Sequence, residues 1–304
     1  MSHGNEGSVR AILYALGANF GIAVAKYVAA FWTGSGSMLA EAIHSTADCA
    51  NQMLLLLGLK QARRPASVDF PLGHHRVTYF WSMIVALLLF FMGGAFSVYE
   101  GIERLLHPHP LEHGLIAMAV LGGAVMLEAL SLWGALREIR RVAAGQPFLS
   151  WFRETRQSEL MVVAGEDIAA LLGLGLAFIA VAASVVTGNP LWDALGTLAI
   201  GIVLMAIALA VIIEVKGLIV GESAAPRQRA EIEAFVAAQP EVERVLNVIT
   251  LAWGDKTVIA VKARMHGMET ASGLHMVEAI NAVEARMQER FPGAQWVFFE
   301  PDLR

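Results

Sequence analysis

Charge is scarce in this chain. Asp, Glu, Lys and Arg make up 16% of its 304 residues and hydrophobic residues 56%, whereas a soluble domain carries about 25% charged residues. So little charge with so much apolar sequence implies an integral membrane protein with some soluble part attached. Cysteine is nearly absent, and Cys49 alone excludes an internal disulfide framework and a thiolate zinc cluster. It follows Asp48 but points about 100° further round a helix, so it reads as a packing residue. There is no basic tail and no low-complexity tract, and a net charge of −5 gives no nucleic-acid signal. Nucleophile motifs, nucleotide-binding loops and HExxH patterns are also missing, which leaves little for an enzyme reading. Residues 1–10 are too polar for a secretory signal peptide, and no organelle-targeting segment stands out.

What is present is a series of long apolar runs, at 11–33, 38–59, 77–99, 114–136, 159–187 and 194–220, each long enough to span a bilayer as a helix. Turn signals separate them: Gly34-Ser35-Gly36-Ser37, Pro65 and Pro71, His107-Pro108-His109-Pro110, Gly145-Gln146-Pro147 and Gly188-Asn189-Pro190. Lys60, Arg63, Arg64 and Arg76 mark the second loop, and Arg137, Arg140, Arg141, Arg153 and Arg156 the fourth; the first and fifth have no Lys or Arg. Basic loops stay in the cytoplasm, so both termini are expected there, across a bacterial inner (plasma) membrane. After Gly221 the composition changes. A helix at 225–238, strands at 242–253 and 256–265 joined by Gly254-Asp255, a helix at 272–290 and a strand at 295–299 describe a two-layer α/β domain suited to packing against its own copy. The expected division is a cytoplasmic segment at 1–10, a six-helix transmembrane domain at 11–220 and a cytoplasmic dimerisation domain at 221–304.

Polar residues inside the apolar runs are the candidates for function, because ionisable groups at membrane depth are costly and face the bundle interior or a water path. His44 and Asp48 lie one turn apart on one face of the second run, where an imidazole and a carboxylate can converge on a divalent metal. The plainer reading is an internally hydrogen-bonded pair that fixes helix packing. In the fifth run Glu166 and Asp167 point about 100° apart, so one can face a partner helix while the other faces elsewhere. With His44 and Asp48 they make an oxygen-rich set with one nitrogen. Zinc is favoured, with manganese, iron, cobalt and cadmium left open. Metal and protons compete for the same lone pairs, so exchange of a metal for protons follows, with His44 as the leading proton carrier. Glu41, one turn from His44, is a candidate exit residue, and Glu128 in the fourth run a candidate proton relay or a packing residue. Asn19, Lys26 and Asn51 are further intramembrane polar residues; Lys26 is expected to snorkel outward, and Asp193 to favour the start of its helix.

His44-Ser45-x-x-Asp48, Asp167, Pro71-Leu72-Gly73-His74-His75-Arg76 and Gly221-Glu222-Ser223 together resemble the cation diffusion facilitator family over essentially the whole length. The resemblance implies a proton-coupled exporter of zinc and related metals, with six membrane helices, a metallochaperone-like (ferredoxin-like) cytoplasmic domain and a homodimeric state. It makes His44, Asp48 and Asp167 transport-site ligands of a metal that is cargo, with no permanently bound cofactor. Where many members carry a histidine one turn before the fifth-span aspartate, this chain has Val163. The pair Glu166-Asp167 looks like the branch related to zinc transporter 9, with Glu166 or a water replacing the missing ligand. At a second site of the family, His74 keeps its place and Phe70 stands where a loop histidine would be. His75 and Asp69 are nearby, and the three are open between a metal site and an interfacial polar cluster. Asn247 and Phe299 occupy histidine positions of the cytoplasmic domain, while His275 remains. The competing function is a non-transporting metal sensor or scaffold with an incomplete site.

Overall fold

In the computed structural model the chain is described at residues 3–33, 36–107, 114–143, 145–267 and 271–303; within these, the side chains of 3–8, 11, 26, 29–30, 32–33, 36–44, 47, 114–117 and 142 fall outside the description. The elements are α1 (His3–Thr33), α2 (Gly36–Ala62), α3 (Val77–Leu88), a π-helical turn (Leu89–Ala95), α4 (Phe96–Leu106), α5 (Gly114–Val142), α6 (Phe148–Glu154), α7 (Ser158–Thr187) and α8 (Leu191–Val220), followed by α9 (Pro226–Ala237), β1 (Val242–Trp253), β2 (Lys256–Met265), α10 (Gly273–Arg290) and β3 (Ala294–Pro301).

Val77–Leu106, Met118–Arg141, Ser158–Thr187 and Leu191–Val220 are each long and apolar enough to cross a membrane among the described residues. The apolar run Ile12–Ala25 lies in α1, and α2 has 27 residues, about 40 Å at 1.5 Å per residue. The expected breaks fall between helices. Gly188 ends α7 with φ 66°, and the Asn189 side-chain oxygen accepts from the Leu191 N–H at 3.0 Å to start α8. Asp193 lies in the first turn of α8 and also takes a hydrogen bond from Arg104 Nη1 at 2.6 Å, tying α8 to α4. Two features were not foreseen. The short helix α6 occupies what reads as a loop, and the third span passes through the π turn and continues to Leu106.

Helix α1 packs on α2 and α5, α5 on α7, α7 on α8, and α8 on α4, while α3 touches α2, α7 and α8 and closes the bundle. Ile12, Leu55, Leu59, Val85, Val163, Val211 and Val215 form an apolar core between these helices. The contact of the π turn and α4 with α8 depends on missing side chains. A Cβ at Gly94 would lie 2.4 Å from Met205 Cγ, and one at Gly101 would lie 2.6 Å from the Leu198 backbone nitrogen. Small residues are what let two membrane helices approach backbone to backbone.

In the C-terminal elements β1 pairs antiparallel with β2, and β2 parallel with β3. Alternate residues of β2, from Thr257 through Ile259, Val261 and Ala263 to Met265, are buried, as the two-residue period of a strand requires. They pack with Ile232 and Val236 of α9 and Val283 and Met287 of α10. Two arginines join this layer to the bundle. Arg76 donates to the carbonyls of Leu218, at 3.0 Å, and Ile219 at the end of α8, with its guanidinium 4.7 Å above the Trp253 ring. Arg156 meets Glu222 at 3.0 Å and the Ser223 carbonyl at 2.8 Å. A cation at a helix C-terminus is favoured by the exposed carbonyls and the dipole.

Candidate functional site

Within the bundle the described residues line a partly open cavity of about 40 Å³. Its polar wall is Asn19 of α1, Asp48 of α2, Glu128 of α5, and Glu166 and Asp167 of α7; Leu89, Gly93, Ala170 and Leu204 complete it. About 10–15 Å³ of such space is enough to hold a water, so the cavity has room for a small ion or for water. Glu128, Glu166 and Asp167 are all buried. So many acids gathered away from water are expensive unless they are paired, protonated or hold a cation.

The two acids of α7 diverge as adjacent helical residues must. Glu166 turns toward α2, where Asn51 Nδ2 donates to Oε1 at 3.2 Å and Gln52 Nε2 donates to Oε2 at 2.8 Å. Both of its oxygens are therefore engaged. Asp167 turns toward α5, where Ser131 Oγ lies 3.2 and 3.1 Å from its two carboxylate oxygens. The hydroxyl has one proton to share between them, so Asp167 keeps acceptor capacity toward the cavity.

Four of the sequence-derived candidates, Asp48, Glu128, Glu166 and Asp167, thus share one cavity. His44 and Glu41 lie on α2, but their side chains are outside the described residues, as is that of Lys26. Among the described residues no three His, Cys, Asp or Glu side chains converge closely enough to hold an ion. Val163 is completely buried in the apolar core. At the position that carries a histidine in many family members, the side chain is thus packed among apolar neighbours of the described residues. Sequence reasoning gave no role to Asn19 and missed Gln52 and Ser131. Ser131 could have been found, since it stands three residues after Glu128 and so near its face. Gln52 had no signal beyond standing next to Asn51.

Asp69, His74 and His75 do not come together. Asp69 is exposed. His74 stacks against Phe70 at 4.4 Å between ring centroids, and its Nδ1 is buried with no hydrogen-bond partner. His75 Nδ1 instead reaches Asp255 at 2.8 Å, in the β1–β2 turn 180 residues away. The same turn is held from both sides: the Gly254 N–H donates to Tyr79 Oη at 2.8 Å, and Trp253 Nε1 donates to the Leu72 carbonyl at 3.0 Å. The stretch 72–79 is in this structure a docking seat for the hairpin. In the C-terminal layer Phe299 packs on the core, Asn247 is exposed opposite Lys262, and His275 is exposed at the start of α10.

Comparison with known proteins gives a consistent set of relatives. The family description "Cation efflux transmembrane domain" matches residues 12–219. The proton-coupled zinc antiporter SLC30A9, mitochondrial, of Xenopus laevis is 37% identical over 225 residues, 73% of this chain and 40% of that protein. Its counterpart in Homo sapiens is 35% identical over 225 residues, with the same shares covered. Metal tolerance protein C4 of Arabidopsis thaliana is 29% identical over 235 residues, 76% of this chain and 51% of its own length. The chain thus spans well under two thirds of the length of these relatives.

Proposed function

The chain belongs to the cation efflux (cation diffusion facilitator) family, and from that premise we propose that it is a proton-coupled antiporter exporting a divalent metal, zinc first, from the cytoplasm by alternating access. The observation that carries this reading is the cavity walled by Asp48, Glu128, Glu166 and Asp167 inside helices long enough to cross a membrane. A cluster of buried acids becomes stable by taking up a divalent cation or by taking up protons. The two uptakes exclude each other, and that exclusion is the exchange.

In this reading His44, Asp48 and Asp167 ligate the metal. Glu166 ligates it only after leaving the Asn51 and Gln52 amides, so its hydrogen bonds belong to the unloaded form. Glu128 relays protons and Glu41 lines the exit. Metal enters from the side marked by the basic segments around Arg63 and Arg140, and protons from the opposite side compete it off once the helices have rocked to the other packing. The termini are cytoplasmic, the membrane is a bacterial inner membrane, and the elements from Gly221 onward hold two copies together.

A non-transporting sensor or scaffold is the second reading, and the apolar surround of Val163 favours it. One experiment separates the two. Purified wild type and Asp48→Ala are placed in proteoliposomes with an imposed pH gradient, and internal metal and pH are followed together for zinc, manganese, iron and cadmium. Wild-type flux coupled to proton movement and lost in the variant is the expected outcome. Absence of flux for every metal, with both proteins folded, refutes the antiporter.

A further inference from the structure

A second cavity, of about 400 Å³, lies between the C-terminal layer and the segment formed by α6 and the start of α7. Small-molecule sites run from about 300 to 1,000 Å³, so the size suits a ligand. Its wall carries polar groups that nothing satisfies. Four buried side-chain N or O atoms lack a hydrogen-bond partner among the described residues, and two of them, Trp151 Nε1 and Gln157 Oε1, belong to residues of this wall. Trp151 is 3% exposed, and an indole N–H buried without an acceptor is destabilising; a phenylalanine there would carry no such donor. From the C-terminal layer the first turn of α9 joins the wall. Its N-cap is Ala225, no side chain caps it, and Pro226 follows, so the N–H groups of Arg227 and Gln228 are the unmet donors of a helix N-terminus. Ala225, Arg227 and Gln228 all line the cavity.

We propose that this cavity binds a phosphate group, carried by a small soluble ester or by a lipid headgroup. The proposal stands apart from the antiporter reading, because the two cavities share no residue. The unmet groups favour an anion. An indole nitrogen only donates, and a helix N-terminus offers N–H groups together with the positive end of its dipole. Arg156, Arg227 and Lys256 add three cations to the wall. Three carboxylates stand there too, and each is already engaged. Asp255 meets His75 at 2.8 Å and Lys256 at 3.9 Å, Glu231 meets Arg227 at 3.3 Å, and Glu154 accepts from Ser150 Oγ at 3.0 Å. Arg156 is held by Glu222 and the Ser223 carbonyl. Arg227 and Lys256 keep further donors, since a guanidinium carries five and an ammonium three. A phosphate has acceptor oxygens on several sides and, in its monoanion, one hydroxyl. It therefore suits the indole, the α9 N–H groups and those two cations at once, with the hydroxyl left to donate to Gln157 Oε1.

The test uses the full chain in detergent with its tryptophan indoles labelled with nitrogen-15, and Trp151→Phe identifies the Trp151 N–H signal by its loss. Inorganic phosphate is titrated first, and micelles containing phosphatidic acid are then compared with micelles containing phosphatidylcholine. An oxygen that accepts from Nε1 should move the Trp151 signal downfield, and further than the signal of Trp253, whose N–H is already held by the Leu72 carbonyl. Calorimetry supplies the affinities. Trp151→Phe should weaken binding about tenfold, the worth of one hydrogen bond to a charged group, and Arg227→Gln and Lys256→Gln should each weaken it about three- to tenfold. If Trp151→Phe does not fold, the affinities of the other two variants decide alone. A response to inorganic phosphate assigns the site to a soluble ester, and a response to phosphatidic acid alone assigns it to a lipid headgroup; either supports the proposal. No response to either probe, or affinities unchanged in every folded variant, would overturn it.

Discussion

Replacing Gly254 with alanine should unseat the β1–β2 hairpin from the membrane helices. Gly254 has φ 67°, and a Cβ there would lie 2.3 Å from the His75 carbonyl oxygen, far inside van der Waals contact. The left-handed backbone conformation costs an alanine about 1–2 kcal/mol, but that strain is felt whether or not the turn is docked. The docking equilibrium is moved by the steric conflict. Relieving it requires the turn to withdraw, which opens the bonds Gly254–Tyr79 at 2.8 Å, Trp253–Leu72 at 3.0 Å and His75–Asp255 at 2.8 Å. At about 1 kcal/mol net for each bond, their loss totals about 3 kcal/mol, roughly a hundredfold in the fraction undocked. Amide hydrogen exchange on the full chain in detergent reads this directly, because the Gly254 N–H is itself one of the bonded groups. Exchange at Gly254 should accelerate by roughly that factor, with residues 72–79 following, while Ile259 and Val261 in the core of β2 hold their wild-type rates. Unchanged exchange at Gly254 would refute the docking argument. An equal rise at Ile259 would show that the substitution damaged the sheet instead.

Further outcomes follow from the same structure. Gly101→Ala should lower the thermal midpoint in detergent by an amount corresponding to about 1–3 kcal/mol, because its Cβ would meet the Leu198 backbone; Gly122→Ala, with nothing within 4 Å, should be neutral or slightly stabilising. Val163→His should destabilise by about 1–3 kcal/mol through an unpartnered imidazole in the apolar core and should add no zinc flux; a gain of flux would refute the apolar-packing reading. Burial opposes ionisation of Glu241, but the Arg286 hydrogen bond, a backbone hydrogen bond and the guanidinium charge outweigh it and hold the carboxyl below its ordinary value. Its stabilising effect is present above the unfolded value of about 4.3 and is lost as pH falls through the lower folded value, so Glu241→Gln should lower the melting midpoint at pH 7 and make a smaller difference at pH 3. Lys262 is raised by its hydrogen bond and charge pairing with Asp302, aided by the Glu300 charge. It stabilises below about pH 10.4, the unfolded value, and stops doing so as pH rises through the higher folded value, so Lys262→Met should lower the melting midpoint at pH 7 and make a progressively smaller difference as pH rises above the unfolded value.

Periodicity and punctuation carried most of the architecture. The strands at 242–253 and 256–265 were readable to the residue because Gly254-Asp255 leaves only one way to reverse the chain, and the long apolar runs could only be helices. What the sequence left open was direction. Helices α7 and α8 are apolar on nearly every face, so no amphipathic stripe says which side Glu166 or Asp167 takes; the clamp by Asn51 and Gln52 is a fact of tertiary packing. The pairing of His75 with Asp255 spans 180 residues and belongs to a docking geometry that no local pattern encodes. Helix α6 was hidden for the opposite reason, since seven residues after Pro147 are too few to show a helical period.

The π turn at Leu89–Ala95 has a meaning best put in terms of phase. A turn closed by i→i+5 bonds accommodates one residue more than the surrounding helix would, and each α-helical residue advances the face by about 100°. The segment is thus a phase shifter set into a single rod. Upstream of it Tyr79, Ser82 and Val85 face the hairpin, α7 and the core; near its end Gly94, and downstream of it Gly101, face α8. Deleting one residue ahead of Gly94 in this segment would leave the rod straight, apolar and nearly the same length, yet it would turn Gly94 away from Met205 and Gly101 away from Leu198. The fit between α4 and α8 is written as much in the count of residues upstream as in the glycines themselves.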